Sequence, residues 1–251
     1  MESKNRDHNQ LVQDIFTSIA HRYDVMNGVM TGGQDVNWRR EVIRRTELTP
    51  GGQLLDIGAG TGDLAFEALR QHPDCRVMAV DFTDRMLQIG LERARKRGID
   101  HARLAWSAAD GLYLPFEDNA FDAVVSGFLL RNVSDLPTCL AEQLRVLRQG
   151  GVMVALDTTP PPESLLKPLM LFHLRVVIPL LGRIISGKEG PYRYLPASTE
   201  AFLYPQQIAI RMKEAGFCAT AYRSLMGGAV AIYWGRKGKP KMVKAVTREK
   251  R

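Results

Sequence analysis

The sequence predicts an α/β fold, a doubly wound sheet of seven strands that is mostly parallel and closes with an antiparallel C-terminal strand. Three observations carry this. Strand-like and helix-like segments alternate from residue 54 to residue 157 without a break in composition. Gly58, Gly60 and Gly62 stand two apart where one strand turns into a helix, and glycine, lacking Cβ, allows the backbone to bend sharply and lie against a ligand. Two last strand-like runs flank Gly227-Gly228, the composition of a hairpin turn.

Residues 11–20 and 38–45 have the spacing of amphipathic helices, and the Gly- and Asn-rich stretch 27–37 reads as their connection, an entry region able to fold over a ligand. The first strand is residues 53–57, followed by a helix over 63–69 whose positive N-terminal end faces the glycine turn. A second strand, 76–80, leads to a helix over 83–97, with Thr83 at the N-cap and Met86, Ile89, Gly90 and Ala94 on its apolar side; its other face is basic. The third and fourth strands are 103–108 and 121–126. A helix over 137–148, closed by Gly150 and Gly151, precedes the fifth strand at 152–156. After Asp157 comes Thr158-Thr159-Pro160-Pro161-Pro162, then a strongly apolar stretch, 165–185, interrupted by Lys167, Pro168, His173, Arg175, Pro179 and Arg183. Two prolines and the basic residues argue against a membrane span. The stretch reads as a helical insertion that covers a substrate pocket or dips into the bilayer interface, or as a core or dimer-interface helix. A helix over 206–215, with Gly216 as its C-cap, and strands 218–224 and 229–236 complete the fold. The organisation expected is an N-terminal helical cap over 1–48, a main domain over 49–236 with an insertion at about 160–200, and a basic, disordered tail over 237–251.

Composition narrows the class. At 251 residues and 45% hydrophobic content, the chain is long enough for one substantial core. Cys75, Cys139 and Cys218 stand far apart with no C-x-x-C pair, so neither a disulfide framework nor a metal site is signalled, and a cytoplasmic setting is expected. The polar N-terminus lacks the apolar core of a signal peptide, and no run of about 18 uncharged apolar residues exists. Residues 236–251 hold eight Lys or Arg against one Glu, the whole of the net charge of +7. The body is therefore formally neutral, which argues against a broad nucleic-acid surface. The tail is either a solubilising segment or a contact for anionic lipid headgroups at the inner face of a membrane.

The glycine turn selects its ligand. A dinucleotide fingerprint, G-x-G-x-x-G, rests a pyrophosphate on the helix N-terminus. Here the third glycine comes one residue early, and the acids Asp56 and Asp63 flank the turn. Carboxylates there repel a pyrophosphate and suit a ligand bearing an ammonium, a sulfonium and ribose hydroxyls, a description that S-adenosyl-L-methionine meets. Asp81, at the end of the second strand, is placed for the ribose hydroxyls. Asp110 is placed for the adenine amino group, or is a solvated turn acid ahead of Gly111.

Four linked motifs over residues 12–236 resemble the ubiquinone and menaquinone biosynthesis C-methyltransferases, the UbiE family. Tyr23-Asp24-Val25-Met26-Asn27, continuing through Thr31-Gly32 and Gln34 to Trp38, is similar to that family's N-terminal signature. Residues 145–151 are similar to its second signature, with Gln149 where Pro or Val is usual. Residues 128–133, ending Arg131-Asn132-Val133, resemble its F-G-L-R-N-V segment, and Tyr192-Arg193-Tyr194-Leu195 its Y-R-Y-L run. The resemblance implies a Rossmann-like methyltransferase fold and S-adenosylmethionine contacts at Thr61, Asp81 and the pair Asp110-Gly111, with a fourth falling on Gly127. Together with the turn residues Asp56, Gly58, Gly60 and Gly62, and Phe82 next to Asp81, these make up the expected cofactor site. Gly127 stands where the family has a serine, so Ser126 or the Gly127 backbone is left to serve. Leu129 replaces a family glycine, and Asp157 a common glutamate.

The implied reaction is methyl transfer to a ring carbon of a prenylated quinol, a lipophilic substrate. Arg131 and Asn132 would position the quinol oxygen, with Arg131 stabilising a phenolate or polarising a water. Tyr23 and Asp157 are further candidates for activating the phenol, and Tyr192, Arg193 and Tyr194 for framing the entrance. Peripheral membrane contact through the tail and residues 165–185, and a homodimer, are the partner relations expected. Rival readings are weaker. Amino-directed nucleic-acid enzymes carry an N-P-P-Y-like segment where this chain has Gly127-Phe128-Leu129-Leu130, and Pro137-Thr138-Cys139 misses the Pro-Cys adjacency of carbon-5 pyrimidine enzymes. A nicotinamide oxidoreductase fails on glycine spacing, and a cofactor-binding scaffold without turnover is argued against by Asp56, Asp81 and Arg131 but kept open by Gly127 and Leu129.

Overall fold

The computed structural model describes residues 2–186 and 190–238; most of the basic tail and the Arg193 side chain lie outside the described residues. The chain opens with α1 (Glu2–Ile19), a 3-10 turn (Ala20–Arg22), α2 (Tyr23–Thr31) and α3 (Gln34–Arg44). The sheet region follows as β1 (Gln53–Ile57), α4 (Asp63–Gln71), β2 (Arg76–Asp81), α5 (Asp84–Lys96), β3 (Leu104–Ala108), β4 (Phe121–Gly127), α6 (Leu136–Val146) and β5 (Leu147–Thr158). Then come α7 (Lys167–Phe172), a π turn (His173–Val177), α8 (Ile178–Ser186), α9 (Gly190–Glu200), α10 (Pro205–Glu214), β6 (Cys218–Leu225) and β7 (Val230–Arg236).

The seven strands lie in the order β3-β2-β1-β4-β5-β7-β6. The pairs from β3 to β5 are parallel, and β7 runs antiparallel to both β5 and β6. This is the predicted sheet. Leu54 and Leu55, both fully buried, feed cores on opposite faces, as the two-residue period of a strand covered on both sides requires. One core takes Leu64, Ala65 and Ala68 from α4 and Trp38, Val42 and Ile43 from α3; the other takes Leu140 from α6 and Ile208 and Met212 from α10. The strand order reverses between β1 and β4, which opens a crevice at the carboxyl ends of these strands, the place where such sheets bind ligands.

Two local readings are corrected. The stretch 27–37 is no connection: α2 runs through it to Thr31, buries Asn27, and stops at Gly32 and Gly33, both left-handed at φ 58° and 76°. Gly150 and Gly151 do not close a helix, because α6 already ends at Val146 and both glycines lie inside β5. The buried Leu147 pairs with Phe121, and the register slips before Val152 meets Ala123, so Gly150 at φ 83° makes an irregularity in the strand. The second signature also has a structural task here. Arg145 donates to the carbonyls of Phe116 and Leu114 at 2.7 and 2.9 Å and pairs with Glu142 and Asp118, which fastens the β3–β4 connection far from the crevice.

Candidate active site

The glycine turn is clamped from both sides. Asp56 is completely buried; its Oδ2 accepts from the Ala65 amide at 3.1 Å, and its Oδ1 has no protein partner. Asp81 accepts from the amides of Gly60 (2.8 Å) and Thr83 (2.7 Å), so the end of β2 holds the turn in place. Burial pushes the Asp81 carboxyl up, and these amides pull it back down. Thr83 sits at the N-cap of α5, but its side chain makes no cap hydrogen bond; both its amide and its side chain are turned to Asp81.

Gly58, Gly60, Asp81, Phe82, Asp110, Gly111 and Gly127 line one cavity in the crevice, the donor cavity, and Asp56 and Thr61 line its narrow extension together with Gly58, Gly60 and Gly127. The expected set is thus brought together, with one exception. Gly62 lines none of these spaces; a Cβ there would stand 2.5 Å from Trp106 Cη2, so this glycine serves packing between the turn and β3. Ser126 is buried and lines neither of these spaces, which leaves the Gly127 backbone where the family's serine would be; a Cβ on Gly127 would meet Leu64 Cδ1 at 3.3 Å. Leu129 lies over the turn, its Cδ1 3.0 Å from the Cβ position of Gly58.

A second, larger cavity of about 660 Å³, the acceptor cavity, lies between α1–α2, the α7–α9 insertion and the ends of β4, β5 and β7. Its walls are mainly apolar, as a site for a lipophilic ligand requires. Phe16, Tyr23 and Phe128 belong to both cavities, so the two meet at these rings. Phe16 and Tyr23 pack edge to face at 5.9 Å, and the Arg131 guanidinium sits 5.3 Å from the Phe128 ring centre.

Arg131 and Asn132 face different spaces. Arg131 lines the acceptor cavity, pairs with Asp157 at 2.5 Å, and keeps a buried Nε with no protein partner. Asp157 lines neither main cavity. Its side chain is fully buried and accepts from the Arg131 side chain and from the Arg131 and Thr158 amides, so it acts through Arg131. Burial raises its carboxyl, and the guanidinium opposes that. Asn132 lines the donor cavity; it donates to the Phe128 carbonyl at 2.8 Å and accepts from the Tyr194 hydroxyl at 3.0 Å. Phe128 is left-handed at φ 60°, a costly backbone for a bulky residue, and these bonds with its amide to Leu156 O (2.7 Å) hold it there. Burial also raises the Tyr23 and Tyr194 hydroxyls, so both remain protonated donors. Tyr192 and Tyr194 line the acceptor cavity.

Sequence reasoning missed an ion-pair lattice beside the turn. Arg93, read only as part of a basic helix face, contacts Asp24 (2.8 Å), Asp63 (2.7 Å) and the Thr61 carbonyl (2.9 Å). Thr61 donates to Asp24 at 2.6 Å, while Arg39 pairs with Asp35 and reaches Asp63 at 3.1 Å. The N-terminal signature therefore fastens α2 and α3 to the turn. Asp24 inside that signature and Asp63 after the turn were the available signals, but only the fold supplies the arginines between them.

The donor cavity suits S-adenosylmethionine. A buried, unpartnered Asp56 Oδ1 awaits a donor, a Cβ on Gly60 would enter open space, and Asp56, Asp81 and Asp110 supply acceptors for ammonium and hydroxyl groups. Burial, reinforced by Asp81 and Asp63, pushes the Asp56 carboxyl from 3.8 up to about 8. The folded chain then holds a proton that the unfolded chain releases, so stability is greatest below the ordinary value and is lost as pH rises through about 8. A cationic ligand favours the ionised carboxylate, so its affinity is expected to rise with pH by up to about tenfold per unit and to level off above this range. Asp56→Asn should flatten both profiles, read by thermal melts and calorimetric titrations on either side of pH 8. Unchanged profiles in the variant would remove Asp56 from this role.

Comparison with known proteins agrees with the site. The model of the ubiE/COQ5 methyltransferase family matches residues 2–237. The chain is 44% identical over 226 residues to the ubiquinone/menaquinone biosynthesis C-methyltransferase UbiE of Desulfotalea psychrophila, covering 90% of each chain. To the demethylmenaquinone methyltransferase of Thermus thermophilus it is 39% identical, over 88% of this chain and 99% of that one. A solved SAM-dependent methyltransferase from Thermotoga maritima superposes with a TM-score of 0.61 over 90% of this chain and 99% of that chain at 19% identity, a likeness of fold alone. With three of its four motifs gathered around one crevice, the second signature bracing the far end of the sheet, and this match along almost its full length, the chain belongs to the ubiE/COQ5 methyltransferase family.

Proposed function

We propose that this protein is an S-adenosylmethionine-dependent C-methyltransferase acting on a prenylated quinol, of the demethylmenaquinol or 2-polyprenyl-6-methoxy-1,4-benzoquinol type, in respiratory quinone biosynthesis. The observation that carries this is the apolar 660 Å³ cavity that meets the donor cavity at Tyr23 and Phe128 and is lined by Arg131, whose buried Nε has no protein partner. Bound S-adenosylmethionine supplies an electrophilic methyl group and a neutral thioether leaving group. Asp56, Asp81 and Asp110 hold its polar groups. Arg131 donates to a quinol oxygen and stabilises it as a phenolate, its proton having passed to solvent, which makes the neighbouring ring carbon nucleophilic. Once methylated, that carbon gives up its own proton, the ring regains its aromaticity, and the proton leaves to solvent with the product. Asp157 fixes the guanidinium, and the Tyr194–Asn132 chain fixes the backbone of Phe128 between the cavities. The hydroxyl of the partly buried Tyr23, protonated and bonded to the Asn27 side chain, lies at the same junction and serves as a second donor when it turns to the quinol. Apolar walls exclude water and take the prenyl chain. Alignment at about 3–3.5 Å between carbon and methyl can supply roughly 7–11 kcal/mol of rate advantage.

The setting that goes with this reading is cytoplasmic, at the inner face of the membrane where such quinols reside; among the described residues no helix is long and apolar enough to cross a membrane. Nucleic acid has no part in it. Incubation with methyl-labelled S-adenosylmethionine and short-chain forms of both quinols is expected to place the label on a ring carbon of one of them. Label recovered in RNA, and in neither quinol, would overturn the assignment.

A further inference from the structure

The insertion has two apolar faces. Met170, Leu174 and Ile178 turn inward and line the acceptor cavity. On the other side Leu165, Phe172, Val176, Leu180 and Ile184 are between 46% and 100% exposed, and Leu169, 65% exposed, stands between the two faces and also lines the cavity. Their spacing of three or four residues places them along one side of a helix, and the π turn between α7 and α8 keeps them in phase. An apolar stripe of this length on an otherwise solvated surface marks an interaction face. Its charge is one-sided: between Glu163 and Glu189 the sequence has Lys167, Arg175, Arg183 and Lys188 and no acid.

We propose that this outer face docks on an anionic lipid bilayer, with α7 and α8 lying in the headgroup plane while their inner face walls the acceptor cavity. The inference rests on the reading of the acceptor as a lipophilic quinol, which must enter from such a bilayer. Charge favours lipid over a second copy of the chain. A two-fold contact along this stripe would bring the same cations toward one another, whereas anionic headgroups accept them and the acyl boundary accepts the leucines. Lys167 and Arg175 are partly balanced by Glu163 and Glu200 at the edge of the stripe, and these pairs can exchange for phosphate oxygens. A helix in this position also places one wall of the acceptor cavity at the membrane surface, so the prenyl chain need not leave apolar surroundings on its way in.

The test uses the full chain, tail included, and the variant Phe172→Glu/Leu180→Glu; neither residue lines the acceptor cavity. Flotation with vesicles of phosphatidylglycerol and phosphatidylcholine in equal parts is expected to carry the unaltered protein upward and to show roughly 100-fold weaker binding by the variant. Turnover of a short-chain, water-soluble quinol should be the same for both, which reports an intact fold and site, while turnover of a long-prenyl quinol embedded in the vesicles should fall in the variant. Equal vesicle binding by the two proteins, or none by the unaltered one, overturns the proposal. So does a dimer in light scattering that the variant dissociates without any change in flotation, which would assign the face to a second copy. Absence of methylation of the short-chain quinol by the unaltered protein would count against the quinol reading itself and leave the flotation result standing.

Discussion

Replacing Arg131 by alanine is expected to lower kcat by about 100- to 1000-fold at saturating quinol and cofactor, the usual cost of removing a donor to developing negative charge. The same change should destabilise the fold by about 3–5 kcal/mol, because it strips Asp157 of its counter-charge. That carboxylate is fully buried, with the Arg131 side chain itself only 7% exposed. The two effects can be separated. Adding Asp157→Asn to the alanine variant replaces the stranded charge with an isosteric amide, and urea unfolding should then recover most of the lost stability while kcat stays low. Arg131→Lys should retain the charge but lose the planar fork that reaches Asp157 and a quinol oxygen together, with intermediate activity. Full turnover by Arg131→Ala, or recovery of activity in the double variant, would show that the guanidinium is only a structural partner of Asp157.

Gly62→Ala is the second large expected effect, and its origin is packing. The glycine has φ 93°, and a Cβ there would stand 2.5 Å from Trp106 Cη2 and 3.0 Å from Phe66 Cε2. Left-handed backbone costs an L-residue about 1–2 kcal/mol, and forcing a methyl against a packed ring about 1–3 more. For a chain of this size the melting temperature should fall by roughly 5–15 °C. Trp106→Leu in the same chain should restore part of it by making room. Gly60→Ala offers the contrast: φ is also positive at 56°, but the added methyl enters open space on the donor side. It should cost cofactor affinity more than stability. If Gly62→Ala instead lost cofactor binding at unchanged melting temperature, Gly62 would belong to the ligand site after all.

These two glycines show what could be read before the fold was known. Their spacing and the flanking acids signalled a sharp turn and the kind of ligand it holds, because local backbone freedom and charge are properties of the residues themselves. Which glycine meets the ligand depends on Trp106, delivered from β3 across the sheet, and no local pattern contains that. The strands were legible because buried parallel strands are short apolar runs. The second helix was not, because Asn27, Gly28 and Gly32 have loop composition and only the packing of Met26 and the buried Asn27 keeps the segment helical. Arg131 was legible through its motif, but the acceptor cavity was not: ordinary apolar side chains from α1, α2, the insertion and three strand ends become a pocket only when assembled.

The lattice of Asp24, Thr61, Arg93, Asp63, Arg39 and Asp35 bears on how such an enzyme can change over generations. An N-terminal segment that merely covered a pocket could be traded for another and bring a new acceptor with it. Here the segment that shapes the acceptor side also completes the charge balance of the turn on the donor side. A foreign segment lacking Asp24 or Arg39 would leave Arg93 and Asp63 to find other partners next to the methyl donor. Divergence in acceptor preference is therefore channelled into the insertion and the cavity's apolar walls, where single side chains can be altered without touching the lattice.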